Sequence, residues 1–317
     1  MDQNKVSIIM SVYNEPKEVL NKSIESILNQ TYRNFEFIII LDKPSNYDAI
    51  EIINYYSSRD QRIIFIKNDK NMGLARSLNN GLKIATGNFI ARMDADDISD
   101  LSRIEYQINY LNYNKNIDFT STLVKYIDES DNELEDKNIF IYTNTQKVNS
   151  IMINKDIMCH PTWMFRRKVL DGVKEYRNFP CSEDYDFILR VIDYGYKVSI
   201  INKKLLKYRI RNSGITKSND LLMIKYSLYI QYLSKQRKVK KSDNIDYRYI
   251  NSLKENSNEM ILLEKARNIF KLGLINLKNK RYLIGIAKII KSCFVSRDQW
   301  MCIKNSLLWR IKVGRLN

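Results

Sequence analysis

Two hydrophobic periods alternate through the first hundred residues. Val6–Tyr13 (VSIIMSVY), Phe35–Leu41, Arg62–Lys67 and Asn88–Met93 are short apolar runs rich in β-branched residues, the pattern of strands buried on both faces. Between them, segments from Pro16 to about Asn29, Asp48 to Ser58 and Leu74 to Ala85 repeat at helical spacing. Pro16 suits a first helical position, where its missing N–H is not needed. This alternation predicts an α/β fold, a mixed, mostly parallel sheet flanked by helices. Farther on, Ser99–Asn112 reads as a helix, Phe119–Ile127 as a strand, Asp128–Lys137 as a polar, acidic loop and Met158–Phe165 as an extended apolar run. Ser182–Tyr194 is an amphipathic helix with Phe187, Ile188, Val191 and Ile192 at helical spacing, and Gly195 is placed to end it. Tyr196–Ile201 and Leu205–Ile210 read as two short strands before a polar loop, Arg211–Ser218. Beyond it the period is helical: Asp220–Lys235, Asn256–Lys278, Tyr282–Phe294 and Asp298–Val313. The expected organisation is one α/β domain over 1–215 and an all-helical extension over 216–317, with the boundary near Ser213–Ser218.

Composition supports an ordered chain: 44% of the 317 residues are hydrophobic, with 9 Gly and 4 Pro. No apolar stretch approaches the roughly 20 residues that span a bilayer, and Met1–Lys5 does not open a secretory signal. A cytoplasmic location is expected. Cys159, Cys181, Cys293 and Cys302 show no C-x-x-C spacing, so free thiols explain them better than disulfides or zinc. The net charge is +16, and from Lys265 onward thirteen basic residues face one acid, Asp298, a local excess of +12. That asymmetry belongs to the helical extension.

Ligands of such sheets bind beyond the carboxyl ends of the strands. Asn14-Glu15, Asp42 and the run Asp94-Ala95-Asp96-Asp97 all fall there. Three carboxylates in four residues suit a hard divalent cation, Mg²⁺ or Mn²⁺. They equally suit a solvated acidic turn that caps the helix starting near Ser99.

The spaced set VSIIMSVYNE (6–15), SILNQTYRNFEFIIILD (26–42), NMGLARSLNNGLKIATGNFIARMDADD (71–97), HPTWMFRR (160–167), SEDYDFILR (182–190) and YRIR (208–211) resembles the family 2 glycosyltransferases of the GT-A fold, inverting enzymes of bacterial surface-polysaccharide synthesis. The resemblance covers about Lys5 to Asn212. It implies that Ser11, Tyr13, Glu15, Asp42 and Arg76 hold the nucleotide part of a UDP-sugar donor. Asp94-Ala95-Asp96 matches the Asp-x-Asp motif, so Asp94 and Asp96 would hold Mn²⁺ or Mg²⁺ at the donor diphosphate. Of the acidic pair Glu183-Asp184, Asp184 would be the general base; the dipole of the following helix is expected to lower its pKa. His160 and Trp163 would line the acceptor side, with Trp163 stacked on a sugar. Arg211 stands where relatives carry a His, and could contact the diphosphate but cannot ligate metal. Asp97 is placed on the acceptor or diphosphate side without an assigned task; metal, acceptor and a neighbouring Arg92 or Arg103 are each open to it. Asp42-Lys43-Pro44-Ser45 replaces the Asp-Asp-Gly-Ser of many relatives.

The implied reaction moves a hexose or N-acetylhexosamine to a saccharide acceptor carried on undecaprenyl diphosphate, forming a β-linkage in an O-antigen or capsule. In the last helix Trp300, Met301, Ile303, Leu307, Leu308 and Ile311 form a stripe edged by Lys304, Arg310 and Lys312. Attachment to the inner face of the cell membrane, packing against a neighbouring helix and a homo-oligomer interface each account for it. A sugar-phosphate nucleotidyltransferase is the rival enzyme class, though the N-terminal loop lacks the glycines that grip a triphosphate. A nucleic-acid-binding protein would use the charge but leave the acidic clusters unexplained, so no nucleic-acid partner is expected.

Overall fold

The computed structural model describes residues 4–135, 145–211, 220–255 and 257–314. The chain forms two compact units, one of Met1–Asn149 with Ile157–Asn212 and one of Ser150–Asp156 with Ser213–Asn317. The boundary expected at Ser213–Ser218 lies outside the described residues.

The first unit is built on one eight-stranded sheet. Its strands are β1 (Val6–Val12), β2 (Phe35–Leu41), β3 (Ile63–Lys67), β4 (Phe89–Asp94), β5 (Ile98–Ser99), β6 (Phe119–Ile127), β7 (Met164–Arg166) and β8 (Val198–Arg209). They lie in the order β3-β2-β1-β4-β7-β6-β8-β5. β1 pairs parallel with β2 and with β4, β2 pairs parallel with β3, and β6 pairs parallel with β8. β7 is antiparallel to both β4 and β6. Helices α1 (Lys17–Leu28), α2 (Tyr47–Ser57), α3 (Leu74–Ile84) and α4 (Arg103–Tyr113) connect the early strands. The strands of this half are buried because both faces are covered: every residue of β2 and all of β1 except Ser11 are in the core. The mixed, mostly parallel sheet flanked by helices is the expected fold.

Three local readings need correction. The two short strands expected around residue 200 are one, β8; its polar break at Asn202–Lys204 is absorbed by register shifts opposite Thr122–Val124. The extended run at Met158–Phe165 contains a 3₁₀ turn, His160–Thr162, before the short β7. Helices α5 (Thr145–Met152) and α6 (Val169–Val173) were not expected, whereas α7 (Glu183–Asp193) was.

The second unit is helical, as expected, with α8 (Asp220–Lys240), α10 (Ser257–Lys278), α11 (Tyr282–Val295) and α12 (Arg297–Gly314) where the pattern placed them and one further helix, α9 (Tyr247–Glu255), that it did not indicate. Its core includes Tyr226, Ile230, Leu233, Ile250, Leu253 and Leu263. Beside it, the buried Lys225 ammonium pairs with Glu259 and, at 2.9 Å, with Asp298. No described helix is long and apolar enough to cross a membrane.

Candidate functional site

β1 and β4 lie side by side with Ser11 opposite Asp94, at the point where strand order reverses. The turn after β4 carries the acidic run. One carboxylate oxygen from each of Asp94, Asp96 and Asp97 falls within 4.8 Å of the others. Cations guard two of them: Arg92 Nη2 lies 2.5 Å from Asp94 Oδ1, and Arg211 Nε 2.9 Å from Asp96 Oδ2. Asp97 is 1% exposed, accepts the Arg209 backbone N–H at 2.9 Å, and has a second oxygen, Oδ2, buried with no hydrogen-bond partner. Burial, then the charge of Asp94, pushes Asp96 up to about 6 and drives Asp97 well above the usual carboxylate range. The cluster does not cap a helix. The residue before α4 is Ser102, which makes no side-chain cap bond to the helix; its N–H and hydroxyl donate to Asp100 at 2.9 and 2.6 Å. A converging set of acids with a buried, unpaired oxygen and upward-shifted pKa values fits a divalent cation.

The remaining donor-side residues are distributed around this point. Glu15 Oε2 accepts the Tyr13 N–H at 2.8 Å, and burial raises its pKa against the pull of Arg211. Ser11 is half-buried, Ala95 is buried and Tyr13 is exposed, with the Lys43 ammonium 5.8 Å from its ring centre. Arg76 is exposed in the first turn of α3. Asp42 is buried, and its carboxylate already accepts from Asn68 Nδ2 (2.8 Å), Met72 N–H (2.7 Å) and Gly73 N–H (2.9 Å). It thus holds the entry to α3, where Gly73 has a φ of +83° that disfavours any other residue. A base contact by Asp42 would have to use the one lone pair left on Oδ2.

Glu183 and Asp184 open α7. Ser182, just before them, adopts φ +103°, a strained conformation for a residue with a side chain. Burial and the charge of Asp184 push Glu183 up to about 8, and burial also raises Asp184. This corrects the expected downward shift from the helix dipole: desolvation is the larger effect. The charge of Asp94 contributes to both upward shifts and that of Arg92 opposes them, so the two acidic groups share one electrostatic field.

His160 is buried, with Nε2 2.9 Å from the Tyr176 hydroxyl, and desolvation followed by the Arg92 charge keeps its pKa well below the usual value. Trp163 is 0% exposed. Its ring packs against His160 (4.5 Å between centres), Phe119 (5.0 Å) and Phe187 (6.0 Å). The expectation that Trp163 stacks on a sugar is therefore overturned: neither face of the ring is accessible.

Three arginines organise this site; the sequence offered Arg92 and Arg103 only as neighbours that Asp97 could face, and gave Arg209 no role. Arg92 is buried in an otherwise apolar strand, two residues before Asp94 and so on the same face of β4. Arg103 binds Ser99 Oγ, Arg92 O and Pro161 O at 2.8, 3.0 and 2.6 Å, joining β4, β5 and the 3₁₀ turn. Arg209 binds Asp96 O at 2.8 Å and Asp128 O at 2.9 Å and pairs with Asp131. A charged residue inside an apolar run was the available signal for Arg92.

Residues 7–173 match the family described as Glycosyl transferase family 2. The chain belongs to that family. It is 42% identical over 236 residues to an uncharacterized glycosyltransferase of Methanocaldococcus jannaschii, covering 74% of this chain and 80% of the relative. Another relative, 32% identical over 226 residues (70% of this chain, 84% of the relative), is the UDP-Glc:alpha-D-GlcNAc-diphosphoundecaprenol beta-1,3-glucosyltransferase WfaP of Escherichia coli. The crystal structure of S. aureus TarS 1-349 in complex with UDP-GlcNAc superposes with a TM-score of 0.63 at 16% identity, covering 91% of this chain and 89% of TarS 1-349. The fold is accordingly of the GT-A type.

Proposed function

We propose that the chain is an inverting, metal-dependent hexosyltransferase that moves a hexose or N-acetylhexosamine from a UDP-sugar to a saccharide on a lipid diphosphate, of the kind used in O-antigen or capsule synthesis. The carrying observation is that Asp94, Asp96 and Asp97 bring one carboxylate oxygen each within 4.8 Å of the others in the turn after β4, where Asp94 stands opposite Ser11 of β1. The UDP-GlcNAc bound by TarS and the diphosphoundecaprenol acceptor in the name of WfaP support the two substrate classes. We assign the reaction to residues 1–215 and a membrane-facing role to the basic region 216–317.

In this reading Ser11, Tyr13, Glu15 and Arg76 border the nucleoside, and Arg211 and Asp97 the diphosphate. Asp94 and Asp96 would hold a divalent ion, Mn²⁺ or Mg²⁺, which supplies positive charge to the leaving diphosphate. Glu183, pushed up to about 8, holds its proton at neutral pH, so the base role is assigned to Asp184. Asp184 accepts the proton of the acceptor hydroxyl while that oxygen bonds to the anomeric carbon and the bond to the UDP oxygen breaks. Attack from the face opposite the leaving group converts an α-linked donor to a β-linked product. The raised pKa of Asp184 makes it a stronger base than an exposed aspartate, and its place on a rigid helix N-terminus fixes its approach. His160, neutral and bonded to Tyr176, shapes the wall beside the acid pair.

The test is transfer from a panel of UDP-, GDP- and TDP-sugars, with and without Mn²⁺. Activity confined to UDP-sugars, abolished by EDTA and by Asp96→Ala or Asp184→Ala, supports the reading. Activity that survives EDTA removes the metal assignment, and a fully active Asp184→Ala removes the base.

A further inference from the structure

Helices α10 and α11 form an antiparallel hairpin in the second unit. A Cβ at Gly273 would lie 3.0 Å from the Gly285 carbonyl, and one at Gly285 3.0 Å from that of Gly273. The two helices therefore touch backbone to backbone along their inner faces. Among the described residues the outer face of α11 has no such partner. Leu283, Ile286, Ile290 and Phe294 fall at helical spacing on one stripe, and all are exposed; Leu283 and Phe294 are 86% and 87% accessible. Tyr282 and Ile284 extend the stripe at the hairpin turn, and Leu272 and Ile275 of α10 are exposed as well. Continuous apolar surface of this kind marks an interaction face rather than ordinary scatter.

The charge around it narrows the partner. Residues 265–295 contain eight Lys or Arg (Lys265, Arg267, Lys271, Lys278, Lys280, Arg281, Lys288, Lys291) and no acid. Three of these cations, Lys278, Lys280 and Arg281, sit at the turn, where Lys280 adopts φ +60° and Arg281 N–H binds Asn276 O at 2.8 Å. A second copy of the chain would bring an identical acid-free, cationic surface against this one. An anionic lipid surface is instead complementary to both the stripe and the charge.

We propose that the outer face of the α10–α11 hairpin, centred on Leu283, Ile286, Ile290 and Phe294, docks in the interface of an anionic phospholipid bilayer with the basic turn at the headgroups. This rests on the membrane-facing role proposed above and moves its centre to α11: on α12 Met301 and Ile303 are half-buried, and Trp300, Leu307 and Leu308, though exposed, are less so than Leu283 and Phe294. The hairpin lies on the bilayer and does not span it.

Full-length protein is floated with phosphatidylcholine vesicles, with and without about one third phosphatidylglycerol. The wild type is expected to float with the anionic vesicles only, and Leu283→Asp/Phe294→Asp is expected to bind them at least about tenfold more weakly. Trp300→Asp is expected to bind nearly as well as the wild type. Transfer to a soluble saccharide acceptor and binding of UDP are read in parallel and should be unchanged in all variants. The proposal is overturned if the double variant floats as well as the wild type. It is also overturned if the wild type is an oligomer by light scattering that Leu283→Asp/Phe294→Asp converts to monomer, which would make a second copy the occupant. A wild type that fails to float but transfers sugar refutes the docking face and leaves the glycosyltransferase reading standing.

Discussion

Glu36 offers a test of how the sheet is held together at the end opposite the site. It lies on β2, is 5% exposed, and is held by Lys5 Nζ (2.7 Å), Ser7 Oγ (2.6 Å), Thr86 N–H (2.6 Å) and Thr86 Oγ1 (2.8 Å). Burial alone would raise its pKa, but these four donors outweigh it and hold the carboxyl at about 2 against an ordinary 4.5. Because the folded pKa lies below the unfolded one, the stabilisation is fully present above pH 4.5 and is lost as pH falls toward 2. The gap corresponds to about 3 kcal/mol. Glu36→Gln removes the charge and turns an amide N–H₂ toward the Lys5 ammonium, so about that much stability should disappear at pH 7. Urea unfolding of wild type and variant, followed by Trp fluorescence at several pH values, measures it. The difference should shrink steadily below pH 4.5. A variant within about 0.5 kcal/mol of wild type at pH 7, or a difference that does not change with pH, would refute the reasoning.

Trp163→Ala should cost about 3–5 kcal/mol of stability, because a fully buried indole packed by His160, Phe119 and Phe187 leaves a large cavity; thermal unfolding checks this, and a small loss would mean that the ring is not core. Gly73→Ala should destabilise by about 1 kcal/mol through its positive φ alone, since nothing lies within 4 Å of the added Cβ; an unchanged urea midpoint would contradict this. Asp184→Asn should lower kcat by about 10²–10⁴-fold while leaving UDP affinity, read by calorimetry, nearly unchanged. In the wild type, the pH–rate profile should fall on the acid side as Asp184 gains its proton and change again near pH 8, where Glu183 loses one; Glu183→Gln should remove the alkaline feature.

Much of the fold was legible because β1, β2 and β4 are buried on both faces and show it as uninterrupted apolar runs. Helix α9 was missed because its surroundings, residues 235–248, are polar and charged, and its buried side, Ile250 and Leu253, is short. β8 was read as two strands because three exposed residues interrupt it, and the accommodating irregularity belongs to its partner β6. At the site, the acidic run stood out because it follows an apolar strand. The burial of Trp163 did not, because an aromatic beside His-Pro can face a ligand or the core, and only the rings of Phe119 and Phe187, 44 and 24 residues away in sequence, decide it. The upward shift of Asp184 was likewise hidden, since desolvation depends on what surrounds α7 and the helix dipole is all that the sequence displays.

The central claim is a single displacement in which Asp184 takes the acceptor proton. Proton NMR of the product formed from an α-linked UDP-sugar tests it most directly, with Asp184→Ala run alongside. The account predicts UDP release coupled to a new β-anomeric signal that depends on Asp184. An α-linked product, or a β-linked product formed equally well by Asp184→Ala, would contradict it.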